Sequence, residues 1–151
     1  LINDMAESLG ALLQHVKPHG ALYNLAAQDI ITARCIARAV KDFDSRLTLV
    51  GLSGSHAITE AAIMGLSTAS EVFADRTYQD DGSLTPRTLP GALITDAEQM
   101  LKQVDQIVKE RTVTTLNGTI IPLHADTICI HGDGSHALTF AKAIHQSFFT
   151  A

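Results

Sequence analysis

Cysteine is scarce: Cys35 and Cys129 are the two in the chain, far apart and outside any Cys-x-x-Cys pattern. They imply neither a disulfide framework nor a zinc knuckle, and such usage suits a reducing compartment. Charge is also sparse, at 18% of residues, against about 25% in average globular chains. With 11 Lys and Arg against 16 Asp and Glu the net charge is -5, so the basic footprint of a nucleic-acid binder is missing. No apolar run approaches the roughly 18 residues that span a bilayer, and no basic stretch leads into a short apolar segment as in a signal peptide. These absences predict a soluble, unexported, cytoplasmic protein with neither nucleic acid nor membrane as a partner.

What is there is one domain's worth of chain, 151 residues of which 46% are apolar. A domain of that size buries roughly 70% of its unfolded surface. The chain opens at Leu1 without a Met and already inside a periodic apolar segment of Ile2, Met5, Leu9 and Leu12. It reads as the later portion of something longer, with a sheet edge left unpaired and prone to association.

The apolar spacing predicts a helix over 2–9 and a short strand over 12–16, ended by Pro18 and Gly20. Asn24 is placed to cap one long helix reaching Val40, because Leu25, Ile30, Ala33, Ala37 and Val40 share a stripe. A buried strand over 47–52 precedes an alanine-rich helix over 56–64, stopped by Gly65, and a strand over 67–74. A long loop over 75–93 holds turn chemistry at Asp80-Asp81-Gly82-Ser83, with Pro86 and Pro90. An amphipathic helix over 95–110 follows, then Asn117-Gly118 between β-branched runs at 112–115 and 119–121, a hairpin signal. A strand over 125–130 and a helix over 135–148 complete the chain. Strands alternating with helices imply parallel pairing, so the class is α/β, in a single domain over 1–151 with one hairpin as decoration. The strand–helix units are too few for a closed eight-stranded barrel but could complete one whose first strands lie upstream.

Ligands of α/β proteins collect at the carboxyl ends of strands, and polar clusters stand at several of these. In Lys17-Pro18-His19-Gly20, Pro18 holds Lys17 extended. Lys17 can hold a phosphate or carboxylate and His19 can transfer protons; a surface lysine and a turn histidine are the bland alternative. In Glu71-Val72-Phe73-Ala74-Asp75-Arg76, a period of two puts Glu71, Phe73 and Asp75 on one face. A carboxylate inside an apolar strand is costly without a partner, which fits a functional group or an ion pair with a neighbouring cation. On the functional reading His19 and Glu71 are expected to face a common cleft.

His131-Gly132-Asp133-Gly134-Ser135-His136 joins a strand to a helix start, an arrangement that presents amide N–H groups to an anion; a simple cap by Asp133 or Ser135 is the alternative. The string matches G-x-G-x-x-A, yet too few residues follow Ala137 for the rest of a dinucleotide fold, and no phosphate-loop motif occurs elsewhere. His131, Asp133 and His136 match no standard zinc spacing. A calcium loop with Gly82 in sixth place would begin at Thr77 and end at Thr88, so Asp80-Asp81-Gly82 is a turn. Arg87 lies in a loop able to cover a site, although a solvated arginine is the simpler reading, and Cys129 reads as packing.

KPHGALYN at 17–24, EVFADRTYQDDGSLTPR at 71–87 with LPGALI at 89–94, and ICIHGDG at 128–134 together resemble the lactam-utilisation (LamB/YcsF) family, over essentially the whole chain. The resemblance implies an irregular parallel β/α barrel like that of carbohydrate deacetylases, of which 1–151 is the C-terminal portion, without the family's N-terminal motifs. It implies an ATP-dependent 5-oxoprolinase that works with two partner subunits to open 5-oxo-L-proline to L-glutamate. ATP, with magnesium, is then a co-substrate, no tightly bound cofactor is expected, and a homo-oligomer is compatible. The family usually continues its His-Gly-Asp with another residue, Pro and Gly, whereas Gly134, Ser135 and His136 stand here, which makes His136 a poor candidate for an essential ligand. His19, Glu71 and Asp75 are the candidate catalytic groups. Lys17, Arg76, His131, Gly132, Asp133 and Gly134 are the candidate substrate or phosphate ligands, and no metal ligand is assigned. A metal-dependent amide or carbohydrate hydrolase and a non-catalytic substrate-binding scaffold are the competing readings.

Overall fold

The computed structural model describes residues 2–132, 134 and 136–148, so Asp133 and Ser135 of the last motif lie outside the described residues. The chain divides into two compact units, Leu1–Ala69 and Ser70–Ala151. No described helix is long and apolar enough to cross a membrane.

The first unit begins with helix α1 (Ile2–Ser8) and strand β1 (His15–Val16), shorter than the apolar run that predicts it. Where one helix is expected from Asn24 to Val40 there are two, α2 (Gly20–Gln28) and α3 (Ile30–Phe43). Asp29 stands at the break in an extended conformation, and its carboxylate accepts the N–H of Thr32 at 2.7 Å and the Thr32 hydroxyl at 2.5 Å. A side chain offering that bond ends one helix and caps the next, so the apolar stripe continues while the backbone ladder does not. Gly20, at φ 59, supplies the left-handed conformation at the start of α2.

Strand β2 (Thr48–Leu52) pairs in parallel with β1, His15 opposite Thr48 and Val16 opposite Leu49. Helix α4 (His56–Ile63) packs on α3, and the core gathers Ala37, Val40, Leu47, Leu49, Ala61 and Leu66. The small alanines let the two helices approach, and Arg34 meets the carboxylate of the buried Glu60 at 2.7 Å.

Strand β3 (Ser67–Phe73) leads into the second unit. Helix α5 (Ala97–Asp105) is capped by Asp96, which accepts the Gln99 N–H at 2.8 Å. It does not run regularly to Glu110 as its periodicity predicts, but widens into a π-helical turn, Gln106–Glu110, that ends at Arg111 in the left-handed region. The Gln106 carboxamide there bonds Thr112 and Thr114 and ties the turn to the strand that follows. Strands β4 (Thr112–Thr114) and β5 (Ile120–Pro122) form the expected antiparallel hairpin, with Gly118 at φ 86 in its connection. Strand β6 (Thr127–Cys129), shorter than the 125–130 run, pairs in parallel with β3, Glu71 opposite Thr127 and Phe73 opposite Cys129. Ile130 lies beyond the ladder and packs, with Ile128, onto the core of Ile94, Met100, Val104, Phe140 and Ile144. Helix α6 (Ala137–Phe148) lies against α5. Parallel pairs of strands interleaved with helices make the class α/β, as the alternation predicts.

Candidate functional site

At the carboxyl end of β3, Ala74 still donates to Cys129 O, and the chain then leaves the ladder through Asp75. The long segment that follows is closed at its base, where Ile94 N donates to Asp75 O at 3.0 Å. Inside, Thr77 N donates to Ala92 O and Thr85 N to Thr77 O, while the Thr77 hydroxyl lies 2.8 Å from both Thr85 Oγ1 and Gly91 O. Arg76 completes this frame. The residue is 6% exposed, and its guanidinium donates to Thr85 O at 2.5 Å and Ala92 O at 3.3 Å. Burial, and after it the like charge of Arg87, lowers the proton affinity of Arg76 below the ordinary arginine value.

The strand end is also held from within. Gln103 of α5 directs its carboxamide N–H groups at Phe73 O and Arg76 O, each at 2.9 Å, with Ala74 O at 3.4 Å, so Asp75 sits inside a span fastened on both sides. The Tyr78 hydroxyl accepts the Phe73 N–H at 2.7 Å, and burial pushes that phenol well above its usual range.

Thus fixed, Asp75 meets His131 from the end of β6. Its Oδ2 accepts the His131 main-chain N–H at 3.0 Å and lies 2.8 Å from the ring Nδ1, with Oδ1 at 3.0 Å from the same nitrogen. The ring stacks on Phe73, centroids 5.6 Å apart. A carboxylate can only accept, so Nδ1 carries a proton, and in the neutral imidazole Nε2 keeps its lone pair. That is the arrangement of a general base with an orienting acid.

Asp75 and His131 form part of the wall of a cavity of about 180 Å³. Arg87, His136 and Gly134 add polar groups, and Leu93, Ile94, Ala137 and Phe140 make the apolar side. The His136 ring stacks on Phe140 at 5.8 Å.

Of the residues singled out from sequence, Asp75, His131 and Gly134 come together at this cavity. Arg76 instead is buried, donates to two carbonyls of its own loop and is not part of the cavity wall. Glu71 is buried in β3, 5% exposed, and is not part of the cavity wall. Gly132 is exposed, and Asp133 lies outside the described residues. Lys17 and His19 belong to the first unit, where the Lys17 ammonium stands 5.8 Å from the centre of the Tyr23 ring and His19 occupies the exposed cap position of α2. Among the described residues, no three His, Cys, Asp or Glu side chains gather in a way that could hold a metal ion. Arg87, read from sequence as lying in a loop able to cover a site and more simply as solvated, is exposed and lines this cavity.

The model of the LamB/YcsF family matches residues 1–151. The A subunit of 5-oxoprolinase from Geobacillus kaustophilus is 52% identical over 138 residues, 91% of this chain and 54% of that protein. Its counterpart of the same name from Bordetella pertussis is 55% identical over 140 residues, 93% of this chain and 56% of that protein. The crystal structure of the lactam utilization protein from Thermus thermophilus superposes with a TM-score of 0.84 at 41% identity, covering 95% of this chain and 59% of that one. The chain thus spans little more than half the length of the curated relatives it matches.

Proposed function

The chain belongs to the LamB/YcsF family, and on that premise we propose that it serves an ATP-dependent 5-oxoprolinase, a hydrolase that opens the cyclic amide of 5-oxo-L-proline to give L-glutamate. The names of its relatives support the substrate and a multi-subunit complex, in which two other subunits take part. The observation that carries the reading is the Asp75–His131 pair in the wall of a small cavity that also holds Arg87.

A lactam carbonyl is a poor electrophile. ATP, accompanied by magnesium, transfers its terminal phosphoryl group to the lactam oxygen and leaves as ADP. Water then adds to the activated carbon, giving up its proton to Nε2 of His131. The ring C–N bond breaks, nitrogen departs as the amine of glutamate, and a second water hydrolyses the resulting acyl phosphate. Asp75 keeps the imidazole in the tautomer that can accept the proton and stabilises the imidazolium that forms. The scarcity and spacing of cysteine support a cytoplasmic setting.

The test is an assay of the full-length protein with its partner subunits, following ADP and glutamate with and without 5-oxoproline. The expected result is ATP hydrolysis that depends on the lactam and yields glutamate in proportion, and that is lost in His131→Ala. A folded complex that forms no glutamate would overturn the proposal.

A further inference from the structure

We infer that Arg87 anchors the carboxylate of the lactam substrate and so determines which lactams the site accepts. The inference rests on the reaction proposed above and adds to it a residue that chooses the substrate.

The cavity offers three kinds of surface. Leu93, Ile94, Ala137 and Phe140 give an apolar side suited to the methylenes of a five-membered ring, His131 gives a proton acceptor, and Arg87 gives a guanidinium. A lactam acid carries the matching three: a ring face, an amide and a carboxylate. Asp75 already places a negative charge in the wall, so an anionic substrate needs a fixed cation there to offset repulsion. His131 cannot supply it while it works as a base.

Arg76 cannot supply it either, because it is buried beneath its loop, donating to Thr85 O and Ala92 O, and is not part of the cavity wall. Its effect is on Arg87: the two carbonyls it grips bracket the stretch 86–91, and Pro86 and Pro90 restrict the backbone on either side of that arginine. Arg87 is therefore delivered to the wall by a framed loop, while its own side chain remains exposed. The two guanidinium groups are near enough for the charge of Arg87 to lower the proton affinity of Arg76, a repulsion that an anion bound at Arg87 relieves. Planar guanidinium matches carboxylate with paired hydrogen bonds. A phosphate would satisfy it too, but the apolar side made by Leu93, Ile94, Ala137 and Phe140 suits a lactam ring better than a triphosphate.

The experiment uses the full-length protein with its partner subunits and compares binding of 5-oxoproline, 2-pyrrolidinone, which is the same ring without the carboxylate, and ATP, by calorimetry. Wild type is expected to prefer 5-oxoproline to 2-pyrrolidinone. Arg87→Ala should weaken 5-oxoproline roughly ten- to a hundredfold, leave 2-pyrrolidinone and ATP unchanged, and so erase the preference, with an unaltered melting temperature. Arg87→Lys should restore part of it. A variant that keeps the preference, or one that loses affinity for ATP instead, overturns the anchor while leaving the reaction itself standing. Wild type that binds 5-oxoproline no better than 2-pyrrolidinone overturns the anchor as well, and absence of any 5-oxoproline binding overturns both.

Discussion

The Asp75 carboxylate holds His131 twice, accepting its main-chain N–H at 3.0 Å and standing 2.8 Å from its ring Nδ1. One side chain thereby sets both where the backbone after β6 runs and which ring nitrogen is left to take a proton. An orienting partner of this kind acts through the tautomer, so its removal is felt in turnover more than in binding.

Asp75→Asn is expected to lower kcat of the full-length enzyme by about 10²- to 10⁴-fold, because an amide can turn its NH2 toward Nδ1 and favour the wrong tautomer. The KM for the lactam should change little. Steady-state kinetics beside a melting curve check this, and a kcat within about twofold of wild type would remove His131 from the role of base.

Gln103→Leu should destabilise the second unit by about 2–4 kcal/mol, since it strips the buried carbonyls of Phe73 and Arg76 of a donor. Denaturant unfolding measures the loss. A variant as stable as wild type would show that these carbonyls find other partners.

Arg76→Ala should cost about 2–3 kcal/mol by leaving Thr85 O and Ala92 O without their guanidinium donor. Amide exchange at Thr77 and Thr85 should quicken with it. The same truncation at Arg87 should leave both observables at their wild-type values, and if it does not, the division between a framing and a ligand-facing arginine fails.

Asp29 carries a pH dependence whose sign is fixed. The Thr32 hydroxyl, and after it the Thr32 N–H, hold its carboxyl below the ordinary value of 3.8. Its contribution is complete above that value and is lost as pH falls through the lowered folded one. Urea midpoints of wild type and Asp29→Asn, taken well above and well below pH 3.8, should converge in acid. A constant gap would exclude the charged cap as the cause.

Much of this architecture was legible as pattern. The β-branched runs around Asn117-Gly118 announce the hairpin, and the alternation of Glu71, Phe73 and Asp75 places the strand end that carries the site. Where the reading failed, a side chain had overridden the local period. Asp29 diverts a backbone whose apolar stripe is unbroken, and Gln106 bonds Thr112 and Thr114 where the helix widens. That Arg76 turns onto carbonyls of its own loop could not be read, because it depends on which carbonyls come within reach once the loop has closed on itself. Nor could Asp75 be matched to His131, since their pairing depends on β3 and β6 lying side by side.

That last dependence has a kinetic side. The bonds that frame the loop after β3 join residues close in the chain, Thr77 with Thr85 at a separation of 8 and Arg76 with Ala92 at 16. Asp75 and His131 are 56 positions apart. Closing the longer span costs more entropy, and non-local pairings form slowly. The loop can therefore consolidate while β6 is still undocked, and the carboxylate–imidazole pair becomes one of the last links made as the second unit assembles.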